Sequence, residues 1–427
     1  MAGDFPKRLA LSQRQWMLLR ELLAAILPAN RFYAAKLQPE LVSRLASMKE
    51  FCEQVPFTTK AELAADQKAH PPYGTNLTYP LERYTRCHQT SGTAGAPLRW
   101  LDTPESWNWM LANWTQVFGA AGVTRADRVF FAFSFGPFIG FWLAFEAAAR
   151  LGCLCLPGGG LSSAARARAI IDHGATVLCC TPTYAIRLAE AAAADGIDLA
   201  ASRVRVVLVA GEPGGSIPAT RSRIEALWPG ARVRDHHGMT EVGPVTFECP
   251  ARPAVLHVME AAYLAEVIDP ASGQAAPPAA VGELVLTTLG RAGSPLFRYR
   301  TGDLVKPAPG AVCACGRSEL ALEGGILGRT DDMVAVRGVN VYPSAIEEII
   351  RHCGGVAEYQ VRLGTARAMA ELSLQIEPAP DCPDAPGLAR KLERALFSAL
   401  GLRVAVAVAP AGSLPRFEMK AARWVRN

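Results

Sequence analysis

The chain runs to 427 residues, 50% apolar and 19% charged, with a net charge of +5. That length allows two or three domains of roughly 150 residues around a sizeable core, so a disulfide-stapled miniprotein is excluded. The balanced charge and high apolar content also exclude a disordered chain and a dedicated nucleic-acid binder. The eleven cysteines are odd in number and scattered from Cys52 to Cys382. With no apolar signal segment at the start, reduced thiols and a cytoplasmic protein are expected.

The first predicted element is a helix over Ser12–Leu27, where Trp16, Leu18, Leu19, Leu22, Leu23, Ile26 and Leu27 recur at helical spacing. It reads as packing. The apolar run between Arg128 and Glu146 is broken by Gly136, Pro137 and Gly140, too short for a membrane span, and predicts a buried strand followed by a buried helix. It opens a stretch in which β-rich runs alternate with alanine-rich helical ones: Val129–Phe133, Leu143–Leu151, Leu154–Leu156, Ala164–His173, Val177–Cys180, Tyr184–Ala194, Val204–Val209 and Ile217–Leu227. Such alternation builds βαβ units and a mostly parallel sheet. Ligands gather beyond the carboxyl ends of its strands, where Pro157-Gly158-Gly159-Gly160, Thr181-Pro182-Thr183-Tyr184 and Ala210-Gly211-Glu212-Pro213 fall. Gly282–Leu289 alternates like a strand of a separate β region. Past Gly328, strands near Val334–Arg337, Tyr359–Leu363, Glu371–Ile376 and Arg403–Val408, with helices over Ser344–Cys353 and Pro386–Leu400, make a compact tail. The expected fold is α/β: a large N-terminal domain, 1–328, with mostly parallel sheets flanked by helices plus a β subdomain, and a small α+β C-terminal domain, 329–427.

Thr90-Ser91-Gly92-Thr93-Ala94-Gly95-Ala96-Pro97 crowds hydroxyls and glycines into one loop. Backbone N–H groups and hydroxyls of such a loop converge on phosphate oxygens, although the same composition also makes ordinary turns. It is not a Walker A loop, which ends in Gly-Lys-Ser/Thr. Three further stretches follow: Asp235-His236-His237-Gly238-Met239-Thr240-Glu241, Phe297–Leu304 with Arg298, Arg300 and Asp303, and Gly328-Arg329-Thr330-Asp331-Asp332. Glycine beside a carboxylate suits a turn that offers the carboxylate to a metal or a ribose diol, and arginines pair with phosphate.

In this order the motifs resemble the adenylate-forming superfamily of acyl-CoA synthetases, peptide-synthetase adenylation domains and luciferases, and within it the phenylacetate-CoA ligases. Val55-Pro56-Phe57-Thr58-Thr59-Lys60, Val177–Tyr184, Arg329–Pro343 and Leu414–Lys420 are similar to further motifs of that family, so the resemblance covers nearly the whole chain. It implies that Thr90, Ser91, Gly92, Thr93 and Gly95 close over the β- and γ-phosphates of ATP. Gly211, Glu212 and Pro213 with His236, His237, Gly238 and Met239 would bracket adenine. Thr240 would touch the α-phosphate, Glu241 hold Mg²⁺, and Asp303 bind the ribose hydroxyls with Arg329 nearby. Asp331 would be the hinge of a mobile C-terminal domain whose Lys420 bridges the substrate carboxylate and the α-phosphate. Two positions depart from the pattern: Ala96 stands where the family commonly has lysine, and His237 where it usually has tyrosine.

Phe135, Phe138, Ile139, Trp142 and Tyr184, with room left at Gly159, suit a flat aromatic acid, although the same residues would also serve as core. His88 would reach the substrate or order the loop. Cys249, His257, Cys313 and Cys315 would make a closed, structural Cys₃His zinc site, a set that some ligases of this kind share; Cys179 and Cys180 read as small buried hydrophobes. The expected activity is an AMP-forming aryl-acid ligase, with ATP and Mg²⁺ in the first step and coenzyme A as acceptor beside Arg337-Gly338-Val339. The alternatives are transfer to a carrier-protein thiol, an amine or a hydroxyl, and a silent adenylate-binding relative. A small aromatic acid and coenzyme A are the expected partners, with no nucleic acid or membrane, in a monomer or homodimer.

Overall fold

The computed structural model describes residues 7–90, 97–330, 334–336, 339–366, 369–417 and 423–426. Five helices lead in: α1 (Arg8–Ile26), α2 (Arg31–Lys36), α3 (Pro39–Arg44), α4 (Met48–Gln54) and α5 (Lys60–Ala69). α1 buries Leu19, Leu22, Leu23 and Ile26 with Tyr33, Phe51 and Phe297. It begins at Arg8, so Ser12 lies inside the helix instead of capping it, and Lys7 at the cap position makes no side-chain cap bond. α5 starts on a reciprocal capping box between Thr59 and Glu62. A hairpin of β1 (Arg86–Gln89) and β2 (Arg99–Asp102) follows, and Thr103 caps α6 (Pro104–Ala120).

The central sheet has β3 (Arg128–Phe131), β4 (Leu154–Pro157), β5 (Val177–Cys180), β6 (Val206–Val209) and β7 (Arg232–Asp235) in the order β4-β3-β5-β6-β7, all parallel. Its crossovers are α7 (Ile139–Leu151), α8 (Ser163–Asp172), α9 (Pro182–Ala194) and α10 (Pro218–Leu227). Strand side chains alternate between two faces. Val129, Phe131, Val177, Cys179, Val206 and Leu208 enter one core with α6 and α7. Phe130, Leu178, Cys180, Val207 and Val209 enter a second with α8, α9 and α10. Burial on both faces explains the unbroken apolar runs of these strands.

Then come the short pair β8 (Gly238–Met239) and β9 (Gly243–Pro244), and β10 (Thr246–Glu248), β11 (Val255–Val258), β12 (Tyr263–Ile268), β13 (Gly282–Thr288), β14 (Tyr299–Pro307) and β15 (Ala321–Arg329). The last six form an antiparallel sheet ordered β10-β11-β15-β14-β13-β12. Beyond it, β16 (Val334–Val336) pairs β17 (Val339–Val341), and α11 (Pro343–Cys353), β18 (Val356–Ala366), β19 (Met369–Pro378), α12 (Ala385–Leu400), β20 (Ala405–Val408) and β21 (Trp424–Arg426) follow. The sheet β20-β19-β18-β21 and the two helices enclose a third core drawn wholly from residues 334 onward. α11 starts at Pro343 with no side-chain cap. Ser344, expected to begin it, instead donates its hydroxyl to the carbonyl of Leu327 and ties the helix to β15.

The α/β class, with its parallel sheet between helices and its C-terminal α+β unit, is thus as the sequence pattern requires. Among the described residues no helix is long and apolar enough to cross a membrane.

The glycine run after β4 has one position with no alternative. The N–H of Gly158 donates to the carbonyl of Phe131 at 2.9 Å, and a Cβ there would sit 2.7 Å from Phe130 and 2.8 Å from that carbonyl. Gly158→Ala should destabilise the protein by roughly 1–3 kcal/mol, whereas Gly140→Ala in the open first turn of α7 should be neutral or stabilising by up to about 1 kcal/mol. Urea midpoints of the two variants test the contrast.

Candidate active site

The β1–β2 hairpin carries the hydroxyl- and glycine-rich loop. Its base is closed by Thr90, whose N–H donates to the Leu98 carbonyl and whose hydroxyl accepts from the Leu98 N–H, both at 3.0 Å. Ser91, Gly92, Thr93, Gly95 and Ala96 lie outside the described residues. His88, just before the loop, is buried and stacked on Trp107 with ring centroids 5.2 Å apart. Burial pushes it down to about 4, so it is a neutral element of the hairpin. Trp107 in turn donates to Glu146 of α7 at 2.7 Å.

At the carboxyl end of the sheet, Gly211 takes φ = 94°, a left-handed conformation that glycine supplies without strain. It turns the chain so that the Glu212 carboxylate accepts from the Thr183 N–H at 2.8 Å. Beyond β7, His236 is buried: Nδ1 bonds the Thr246 carbonyl at 2.7 Å and the ring lies 4.5 Å from Trp114. Burial lowers it to about 4, so it is a neutral prop beneath the segment. His237 is different. Its Nε2 lies 2.9 Å from Asp303, whose other oxygen accepts from Arg329 at 3.1 Å. Asp303 and Arg329 are cross-strand partners on β14 and β15.

Gly238 and Met239 form β8, and Thr240 and Glu241 make the turn to β9. Glu241 is buried, its carboxylate 3.3 Å from the Lys60 ammonium and 3.3 Å from the Tyr299 hydroxyl. Two side-chain contacts therefore hold the His237–Glu241 segment to β14, one at Tyr299 and one at Asp303. Asp331 and Lys420 lie outside the described residues.

The aromatic residues expected to line the acid pocket divide. Phe135 and Phe138 are half-buried and Trp142 is exposed, its indole donating to the Gly136 carbonyl at 2.9 Å. Gly159 stands open beside Phe135. The ring cluster also takes in Phe133, stacked on Phe141 at 4.2 Å, and Phe145, 5.4 Å from Phe135. Ile139 and Tyr184 are core. The Tyr184 hydroxyl is engaged by Arg166 at 2.6 Å and Ser163 at 3.0 Å, which corrects its assignment to the pocket. The cluster touches the β1–β2 hairpin through the Gln89 N–H, which donates to the Pro137 carbonyl at 2.9 Å.

The family profile described as "AMP-binding enzyme" matches residues 88–291, and that described as "AMP-binding enzyme C-terminal domain" matches 338–427. A phenylacetate-coenzyme A ligase of Pseudomonas putida is 30% identical over 423 residues, covering 96% of this chain and 92% of that protein. One from Thermus thermophilus is 33% identical over 328 residues, covering 76% and 71%. The chain belongs to the AMP-binding, phenylacetate-CoA ligase-like family. Among solved structures, 2-hydroxyisobutyryl-CoA ligase in the postadenylation state with R3-HIB-AMP has a TM-score of 0.92 at 26% identity, covering 99% of this chain and 90% of that one. The same enzyme with 2-HIB-AMP and CoA in the thioesterification state scores 0.72 at 28% identity, covering 97% and 89%.

Outside the site of this AMP-binding enzyme, Cys249 at the end of β10, His257 in β11, and Cys313 and Cys315 in the β14–β15 connection place one ligand atom each within 4.8 Å of one another. Cys249 and Cys313 sulfurs are 3.7 Å apart, and Cys315 sulfur is 3.4 Å from His257 Nε2. Tetrahedral zinc with Zn–S about 2.3 Å and Zn–N about 2.0 Å requires separations of roughly 3.8 and 3.5 Å, so the donor set fits such an ion. Reading the sequence missed Lys60, Tyr299, Phe133, Phe141 and Phe145 as site neighbours. Lys60 and Tyr299 carried a signal, as members of the Val55–Lys60 and Phe297–Leu304 segments.

Burial pushes Asp235, at the foot of the His236–Glu241 segment, up to about 6 from 3.8; the Ser216 hydroxyl opposes this and Glu248 adds to it. A carboxyl raised in the folded state contributes stability that is complete below its unfolded value and is lost as pH rises through the folded one. Stability should therefore decline between pH 3.8 and about 6 through this group, and Asp235→Asn should flatten that slope in urea midpoints measured against pH.

Proposed function

We propose that this enzyme is an aryl-CoA ligase: it joins an aromatic carboxylate to AMP with release of pyrophosphate, then passes the acyl group to the thiol of coenzyme A. The observation that carries the reading is the holding of the His237–Glu241 segment against β14, which groups Glu241, His237 and Asp303 at the carboxyl end of the parallel sheet. An aromatic ring cluster beside that edge supports an aryl acid.

In this reading Asp303 accepts the ribose hydroxyls, with spare lone pairs on oxygens already fixed by His237 and Arg329. Glu212 and His237–Met239 border adenine, Thr240 meets the α-phosphate, and the Thr90–Gly95 loop encloses the outer phosphates. Glu241 would hold Mg²⁺, which when bound supplies charge neutralisation to the phosphates; Lys60, 3.3 Å from that carboxylate, adds a second positive charge at the same edge. Two anions must meet for the carboxylate to attack phosphorus, so positioning and charge are the catalytic task. Lys420 serves it from the C-terminal unit, 329–427, which turns about Asp331 to bring Arg337-Gly338-Val339 to the thiol. The higher agreement with the postadenylation form of the structural relative supports placing the unit here on the adenylation side of that turn. The reaction takes place in the cytoplasm. Cys249, His257, Cys313 and Cys315 hold a structural zinc that leaves no open coordination position.

Pyrophosphate exchange across benzoates, hydroxybenzoates, anthranilates, phenylacetate and short fatty acids, followed by mass spectrometry after addition of coenzyme A, tests the function. Exchange with an aryl acid and its coenzyme A thioester are expected; exchange without a thioester would reassign the acceptor. Lys420→Ala should lower exchange roughly 100-fold or more while the folded protein still converts supplied acyl-adenylate to thioester. Metal analysis should find one zinc per chain, and Cys313→Ser should lose it together with a few degrees of melting temperature.

A further inference from the structure

Arg291 is fully buried, as is its partner Asp102. The guanidinium donates from Nε to one Asp102 oxygen at 2.7 Å and from one terminal nitrogen to the other at 2.6 Å. Its remaining terminal nitrogen donates to the main-chain carbonyls of Thr240 at 2.8 Å and Glu241 at 2.9 Å, and its face lies 5.4 Å from the Trp100 ring. A buried ion pair is costly to desolvate and is held only with further hydrogen bonds, and here each of the three guanidinium nitrogens has a partner. Asp102 closes β2, whose other end begins one residue after the Leu98–Thr90 base of the loop. One planar group, 189 positions from Asp102 and 50 from Glu241, thus joins the hairpin that carries the hydroxyl-rich loop to the turn that carries Glu241.

We propose that Arg291 is a positioning residue for the nucleotide half-reaction: it sets the spacing between the β1–β2 hairpin and the Thr240–Glu241 turn. The proposal rests on the nucleotide reading given above. Its two carbonyl bonds fix the turn by the backbone, so the Glu241 carboxylate points from a fixed anchor, while the bidentate bond to Asp102 fixes the hairpin. A lysine has the charge but not the fork, and its three donors cannot hold a carboxylate bidentately and two carbonyls in one plane.

Arg291→Lys, Asp102→Asn and Glu241→Gln, each checked by thermal melt, should be assayed for pyrophosphate exchange and for thioester formation from supplied acyl-adenylate and coenzyme A. For Arg291→Lys and Asp102→Asn, the KM for MgATP should rise roughly tenfold and the exchange rate fall roughly 10- to 100-fold. The KM for the acid and the rate from supplied adenylate should stay within about twofold of the parent, a split that a general loss of folded protein does not produce. Equal loss in both half-reactions, parent-like exchange in the two variants, or failure of both to fold would overturn the proposal. Parent-like exchange in Glu241→Gln would overturn the nucleotide reading and this proposal with it. Loss of exchange in Glu241→Gln beside parent-like Arg291→Lys would overturn this proposal alone.

Discussion

A carboxylate buried to 4% exposure must find protein donors in place of its lost water, and Asp303 is in that position. Its donors are Arg329 from the neighbouring strand and His237 from the segment that leaves the parallel sheet. Satisfying one charge therefore fixes the register of β14 on β15 and pulls the end of the α/β sheet onto the antiparallel sheet. The rest of the site follows from that junction. Tyr299, four residues before Asp303, meets Glu241, and the burial that keeps this phenol protonated lets it donate to the carboxylate. The turn between β8 and β9 is thereby held from two sides.

The parallel sheet was legible because strands buried on both faces must be apolar throughout, while their flanking helices keep a 3.6-residue period. Val177–Cys180 and Val206–Val209 are such runs, and alternate residues of each enter opposite cores. The order of motifs also carried the family. Apolar pattern does not say what lies across from a side chain, however. Tyr184 reads like a pocket wall at the start of a helix beyond a strand, but Arg166, eighteen residues earlier, takes its hydroxyl into the core. His236 and His237 are adjacent and alike in sequence; one is buried against Trp114 and the other faces Asp303 because successive residues of extended backbone point to opposite sides.

Contacts at long separation were the least legible part. Cys249 and Cys313 approach because β11 pairs with both β10 and β15, bringing the connection before β15 over the end of β10. The sequence pattern named the four residues, but not the strand pairing that brings them together. The motifs that hold Lys60 and Glu241 do not say that the two meet, and no local motif marks Asp102 or Arg291. Where the C-terminal unit meets the rest, Arg423 is buried against Glu358 within its own unit and reaches the Thr183 hydroxyl at 3.5 Å. Thr183 also supplies the N–H that holds Glu212, so the C-terminal part rests on the residue that orders the loop after β6.

The division of the aromatic residues into an exposed cluster and a locked core also bears on how such an enzyme can diverge. Tyr184 and Ile139 cannot change size without disturbing a packed interior. Phe135 and Phe138 stand on the connection from β3 to α7, and Trp142, in the first turns of α7, is 38% exposed. Substitutions on such a connection cost the scaffold little. Changes along that connection can therefore accumulate by single steps while the packed interior and the His237–Asp303 junction stay as they are.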